Sequence, residues 1–249
     1  MMRILILGGT SDANALARII ATTRLDAIYS YAGRTQVPVN QPLPVRTGGF
    51  GGADGLAHYL RDEGITHVVD ATHPFAGTMS RNAIEACAAT SVPLITLVRA
   101  PWTQGRDDRW ITVPDLAGAV TALPDEAACV FLAIGRQHWQ AFTAKPQHRY
   151  ILRFVDEPTG RLALPRSEVI VARGPFTEEG DLDLMRSRSV NWVVTRNSGG
   201  SGARAKIDAA RRLAIPVIMI SRPHMPERHM VATVDEVMAW LSHETCLGA

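Results

Sequence analysis

Cysteine is scarce in this sequence: three residues, at 87, 129 and 246, sit far apart in 249 and form no CxxC. That argues against a thiolate metal site and against a disulfide framework. No charge of one sign dominates either, since 26 basic and 24 acidic side chains leave a formal charge of +2. Such a balance does not suggest a nucleic-acid binder, though it leaves room for local arginine clusters facing an anionic ligand. No apolar run is long enough to span a bilayer, and Met1-Met2-Arg3 runs straight into a short apolar segment without a secretory signal. A cytoplasmic protein without a membrane partner is therefore expected. There is no HExxH or HxxxH, and His73 is followed by Pro74, so no metal site is expected. Asp70, His73 and Ser198 are the right types for a catalytic triad but lack a GxSxG elbow.

What is present is an ordinary globular composition, 46% apolar and 20% charged, with ample material for a core. Residues 3–7 (Arg-Ile-Leu-Ile-Leu) read as a fully buried strand. Gly8-Gly9-Thr10-Ser11-Asp12 follows, then a helix over 15–20. This is the strand, glycine turn and helix that opens a nucleotide-binding unit. It is not GxGxxG, so its force lies in the physics rather than the motif. Glycines admit a ligand close to the backbone, and a helix N-terminus favours a phosphate. Ser11 and Asp12 as plain helix caps would leave the double glycine unexplained. A second strand over 27–31 ends in Ala32-Gly33-Arg34. An acidic residue at this place suits a free ribose 2′-hydroxyl, whereas an arginine suits a 2′-phosphate. Arg34 therefore favours NADPH over NADH and speaks against S-adenosylmethionine. A further glycine cluster, Gly48-Gly49-Phe50-Gly51-Gly52, precedes a helix over 54–61.

A strand over 66–69 then stops at Asp70-Ala71-Thr72-His73-Pro74-Phe75-Ala76, before a helix over 80–89. Open α/β sheets bind ligands outside the carboxyl ends of such strands. The loop offers a carboxylate, a hydroxyl, an imidazole and an aromatic ring within six residues. It reads equally as an ordinary strand-to-helix turn with Thr72 or Ser80 as cap.

The second half repeats the first. Gly-Gly-Phe at 48–50 matches Gly-Pro-Phe at 174–176, and Ile65-Thr66-His67-Val68-Val69-Asp70 matches Val190-Asn191-Trp192-Val193-Val194-Thr195. Pro93-Leu94-Ile95 leading to Arg99 matches Pro216-Val217-Ile218 leading to Arg222, and Thr112-Val113 matches Thr233-Val234. Four matches in one order imply two similar Rossmann-like α/β domains, each a small parallel sheet with helices on both faces. The expected join lies near Pro124-Asp125-Glu126, giving domains 1–124 and 125–249 with a ligand cleft between them. The first half carries the dinucleotide features. The second carries Arg136, Arg173, Arg196, Arg204, Lys206 and Arg222 at its loops, which suggests a polycarboxylate ligand, because guanidinium groups bind carboxylates bidentately. Gly199-Gly200-Ser201-Gly202 before a helix is either an anion-binding turn or a flexible one.

Gly8-Gly9-Thr10, the Asp70 to Ala76 motif, Arg173-Gly174-Pro175-Phe176, and Asn197-Ser198-Gly199-Gly200 with Lys206 together resemble the precorrin-6A reductase family of cobalamin biosynthesis. The resemblance runs in order along nearly the whole chain. Arg196 departs from the lysine more usual there and keeps its charge. The resemblance implies an oxidoreductase that transfers hydride from NADPH to a macrocycle carbon of precorrin-6A, giving precorrin-6B, with cobalt-precorrin-6A as the alternative substrate. With it, the strand ends and glycine turns put Gly9, Thr10, Ser11, Gly33, Arg34 and Gly48, with Asp70, Ala71, Thr72, His73, Pro74 and Phe75, on the cofactor side. The tetrapyrrole side takes Arg136, Arg173, Asn197, Ser198, Gly199, Gly200, Lys206 and Arg222. No catalytic residue is singled out; water, or Asp70 or His73 through water, are candidates for the proton. A non-enzymatic dinucleotide-binding regulator and a methyltransferase of the same pathway are the rival classes.

Overall fold

The computed structural model describes residues 2–33, 39–158, 160 and 162–247. The chain begins β1 (Arg3–Leu7), α1 (Ser11–Ile20), β2 (Asp26–Tyr31), β3 (Val45–Thr47), α2 (Gly52–Asp62), β4 (His67–Asp70), α3 (Gly77–Thr90) and β5 (Leu94–Leu97). It continues β6 (Trp110–Val113), α4 (Leu116–Thr121), β7 (Cys129–Ala133), a 3-10 helix (Trp139–Ala144), β8 (Arg149–Phe154), β9 (Ser167–Val171) and α5 (Glu178–Ser187). The last elements are β10 (Trp192–Arg196), α6 (Ala205–Arg212), β11 (Val217–Ile220), β12 (Met230–Val231) and α7 (Val234–Leu247). None of the helices described is long and apolar enough to cross a membrane.

Two six-stranded parallel sheets result, ordered β12-β5-β4-β1-β2-β3 and β6-β11-β10-β7-β8-β9. Each has the doubly wound order in which the chain runs outward from a central strand in both directions. The registers match as well. Leu5 pairs with Ile28 and Val68 in the first sheet, and Phe131 pairs with Ile151 and Val193 in the second. The duplication read from the sequence is thus a duplication of register.

The uninterrupted apolar run of β1 follows from burial on both faces. Ile4 and Ile6 pack with Leu16 and Ile20 of α1 and Val237 and Leu241 of α7, while Leu5 and Leu7 pack with Leu56 and Leu60 of α2 and Ala83 and Ala86 of α3. Alternate side chains of one strand therefore serve two helical layers. In the second unit Phe131, Ile151, Val193, Leu182, Met185 and Ile207 form the corresponding layer under α5 and α6.

The domain boundary differs from the one expected near 124. One compact unit comprises the residues up to Ala100 together with those from His224 onward, and the other is Pro101–Pro223. The reason lies in the sixth strands. β6 follows β5 in the chain but pairs with β11, and β12 follows β11 but pairs with β5. Each sheet is completed by a strand from the other repeat, so no single cut of the chain separates the two.

Candidate functional site

In the first unit the carboxyl ends of β1, β2, β3 and β4 surround a cavity of about 160 Å³, lined by Gly8, Gly9, Tyr31, Ala32, Gly33, Thr47, Thr72, His73, Ala76 and Met79. β1 and β4 are neighbours from which the chain winds in opposite directions, the position where sheets of this order open a crevice. The two glycines of the first turn do different jobs. A side chain at Gly8 would meet the ring of Tyr29 at 2.1 Å. Gly9 has φ +110, with nothing within 4 Å of the place a Cβ would occupy. One glycine makes room for a buried tyrosine, and the other leaves the cavity wall bare. The Tyr29 hydroxyl accepts from Gly9 N–H (2.9 Å) and donates to Asn14 Oδ1 (2.7 Å), so this stretch of backbone is held from behind. Burial raises the pKa of Tyr29 and keeps it a neutral donor.

Thr10 caps α1. Its hydroxyl accepts from Ala13 N–H (3.1 Å) and donates to the Ala71 carbonyl (2.8 Å), tying the first turn to the loop after β4. The N–H groups of Ser11 and Asp12 precede the first intrahelical acceptor, as at any helix start, and carry the positive end of the helix dipole. The Asp12 carboxylate, which would oppose an anion there, is paired with Arg99 (3.2 Å). Asp70, only 1% exposed, accepts from both Thr72 N–H (3.1 Å) and the Thr72 hydroxyl (2.7 Å). Its carboxylate holds the loop in shape; burial, and then the charge of this carboxylate, pushes the Cys87 thiol up to about 12. His73 Nδ1 accepts from Phe75 N–H (3.2 Å), which leaves the proton of the neutral ring on Nε2. Arg46 of β3 donates to Ser30 Oγ, Gly48 O and Gly49 O, and its guanidinium lies 3.8 Å from the Phe50 ring centroid. The glycine cluster after β3 is braced by this arginine.

In the second unit the cationic side chains gather at the carboxyl end of the sheet, as parallel strands require, but most are already engaged. Arg222 donates to the carbonyls of Asn197 (2.9 Å) and Ser198 (3.1 Å). Arg173 lies 3.4 Å from Asp156. Arg204 pairs with Asp208 (3.2 Å). Lys206 is 3% exposed, donates to the Ala203 carbonyl, and lies 5.0 Å from the Trp102 ring centroid. Burial, then the charge of Arg153, pushes its pKa down to about 7. Arg153 itself is buried, stacked 3.6 Å over Phe176 and paired with Asp181. Arg136, after β7, is exposed and has no partner among the described residues.

Comparison with known proteins fits this architecture. The sequence profile described as "Precorrin-6x reductase CbiJ/CobK" matches residues 3–242. The chain belongs to the precorrin-6x reductase family. A precorrin-6A reductase of Rhodobacter capsulatus is 56% identical over 97% of this chain and 96% of its own length, and one from a Sinorhizobium species is 49% identical over 97% and 93%. The solved structure of a CobK precorrin-6A reductase, 56% identical, superposes with a TM-score of 0.94 over 98% of this chain and 97% of that one.

Within this reductase fold the residues singled out from sequence occupy three kinds of place. Gly9, Gly33, Thr72 and His73 are on the cavity wall. Thr10, Asp70 and Ala71 lie behind it as its fixings. Ser11, Gly48, Pro74 and Phe75 neighbour those residues in the chain without being among the lining residues. Arg34 lies outside the described residues. Asn197, Ser198, Gly199, Gly200, Lys206 and Arg222 form one cluster around the loop after β10, while Arg136 follows the neighbouring strand β7 and Arg173 follows the edge strand β9. Sequence reasoning passed over Tyr29, Arg46 and the Arg153–Asp181 pair. A tyrosine in a strand facing a double glycine was the one available signal. The arginines carried none, because a half-buried arginine and a solvated one read alike in sequence.

Proposed function

We propose that the protein reduces one double bond of the precorrin-6A macrocycle, giving precorrin-6B, with NADPH as hydride donor. The observation that carries this reading is the glycine-walled cavity at the start of α1 in the first unit. The residues there fit a dinucleotide: Gly9 adds no side chain to the wall, and the α1 N-terminus, with Asp12 neutralised by Arg99, suits a pyrophosphate. Bound NADPH supplies the hydride; the protein holds donor and acceptor carbons together. Ala32 and Gly33 lead toward the adenosine ribose, and Arg34, which follows them, is assigned to the 2′-phosphate. Thr72 and His73 face the nicotinamide side. Asp70 is occupied by Thr72, so its part is to shape the loop.

The second unit takes the acetate and propionate carboxylates of the tetrapyrrole. Arg136 and Arg173 are the exposed guanidinium groups for that task, and the loop after β10 offers the N–H groups of Gly199 and Gly200. Lys206 and Arg222 act from beneath, through the loop they support. The metal-free substrate is preferred over the cobalt form because the relatives at 56% and 49% identity bear the name precorrin-6A reductase.

The test is spectrophotometric. Precorrin-6A mixed with the protein should change its visible spectrum with NADPH and much less with NADH. No change with authentic substrate and NADPH would sink the proposal. Arg34→Ala should weaken NADPH far more than NADH, by about 1–3 kcal/mol for a charged hydrogen bond; equal losses would refute the 2′-phosphate role.

A further inference from the structure

The loop after β10 is held by groups remote from it in sequence. Trp102 donates its indole Nε1–H to the Gly200 carbonyl (2.7 Å). Its backbone N–H donates to Asn197 Oδ1 (2.7 Å), and Asn197 Nδ2 returns a bond to the Trp102 carbonyl (2.9 Å). Arg222 takes the carbonyls of Asn197 and Ser198. Under the indole lies Lys206, whose ammonium is bonded to the Ala203 carbonyl. The carbonyls of residues 197, 198, 200 and 203 are thus all tied to side chains. The N–H groups of Gly199, Gly200 and Ser201 have no acceptor among the described residues. Gly199 and Gly200 have φ of +70 and +71, a conformation two glycines tolerate in succession but do not hold by themselves. A loop of this composition left alone would be flexible; here its backbone direction is imposed from outside.

We propose that Trp102 is a positioning residue for substrate: its hydrogen bond to Gly200 fixes the orientation in which the Gly199–Ser201 N–H groups meet a carboxylate of the tetrapyrrole. This rests on the reading that the second unit binds the macrocycle. Trp102 is 6% exposed and bonded through both its backbone and its ring, so it acts through the loop and need not touch the ligand. Lys206, packed against the indole and tied to the Ala203 carbonyl, contributes by keeping the ring at its height.

The experiment is Trp102→Phe in the full chain, assayed with precorrin-6A at saturating NADPH, below the unfolding temperature measured for each variant. Phenylalanine keeps an aromatic ring beside Lys206 and removes the Nε1–H donor together with part of the indole's volume. KM for precorrin-6A should rise roughly tenfold, the consequence of one buried carbonyl left without its donor. Saturated kcat should stay within about twofold, and NADPH affinity by fluorescence titration should not change. A KM equal to that of the wild type overturns the proposal. So does a fall in kcat with KM unmoved, which would mean general loosening. If Trp102→Phe fails to fold, Arg222→Lys provides the same test from the other side of the loop. It retains the charge, loses the two-carbonyl geometry, and should raise KM in the same direction. Gly200→Ala, which alters the loop itself, separates the two levels of the argument. If it raises KM while Trp102→Phe does not, the loop binds substrate and the role of Trp102 is wrong. If neither variant moves KM, the reading of the second unit as the tetrapyrrole side falls, and this proposal with it.

Discussion

In the first unit β1 is followed by Gly8, Gly9 and a ten-residue helix capped by Thr10; in the second, β7 is followed by Ile134, a single Gly135 and, after a turn, a short 3-10 helix. The two sheets share strand order and register, yet only the first has an α-helix N-terminus aimed outward from its central strand. The arginines diverge in the same way. Phe50 and Phe176 are matched residues, and each lies under a guanidinium, at 3.8 Å and 3.6 Å. Arg46 arrives from β3 and spends its donors on Ser30 and the Gly48 and Gly49 carbonyls. Arg153 stands on β8 at the place Ser30 holds on β2 and is sealed against Asp181. Arg99 and Arg222, also matched, go respectively to Asp12 and to two loop carbonyls. Duplication preserved the scaffold, and what separated the halves is what their polar side chains were assigned to. One half leaves a bare backbone wall; the other stiffens its loops.

The largest effect should come from breaking the arginine pair. Arg153→Met leaves Asp181 buried and unpartnered and should cost about 3–5 kcal/mol in chemical denaturation. Arg46→Met loses hydrogen bonds to neutral acceptors at a half-buried site, about 1–2 kcal/mol. Equal costs would erase the distinction drawn between the two. Next come the matched turn glycines. Gly9→Val forces a branched residue to φ +110 and puts a side chain into the cavity, whereas Gly135→Val suffers similar strain at φ +81 in the other unit. Both should lose about 1–3 kcal/mol of stability, but only the first should abolish NADPH binding in a fluorescence titration. NADPH binding lost in both would mean the cofactor side has been misassigned.

The smallest effect concerns Lys206. Its folded-state pKa, about 7, lies below that of the unfolded chain. Between those values the unfolded state binds the proton more tightly, so this group makes stability rise with pH from about 7 toward 10. Lys206→Met should be more stable at neutral pH by roughly 1 kcal/mol. The gap to wild type should close as pH rises through that window. Denaturation midpoints at pH 7 and 9.5 decide it, and a gap that widens with pH would contradict a buried, charge-averse lysine.

Much of this was legible in the chain. The run over 3–7 is apolar at consecutive positions because both faces of β1 are covered, and that pattern needs no partner to be recognised. The double glycine, the turn at Asp70 to Ala76 and the repeated strand endings are likewise local, and the structure finds strands ending and helices starting around them. The boundary was not legible. β6 and β12 have four and two residues, too short to carry a preference for one sheet edge over another, so their exchange between repeats leaves no mark in sequence.

Local chemistry therefore determined the elements, their duplication and the glycine-walled turn, since each depends on the nature and spacing of neighbouring residues. The tertiary structure alone decided which sheet each sixth strand completes and that Tyr29 stands behind Gly9. It alone set Trp102 against Gly200 and turned Lys206 inward from the surface. Most of those outcomes depend on contacts between residues about a hundred or more positions apart, and a contact at that separation follows from packing rather than from pattern.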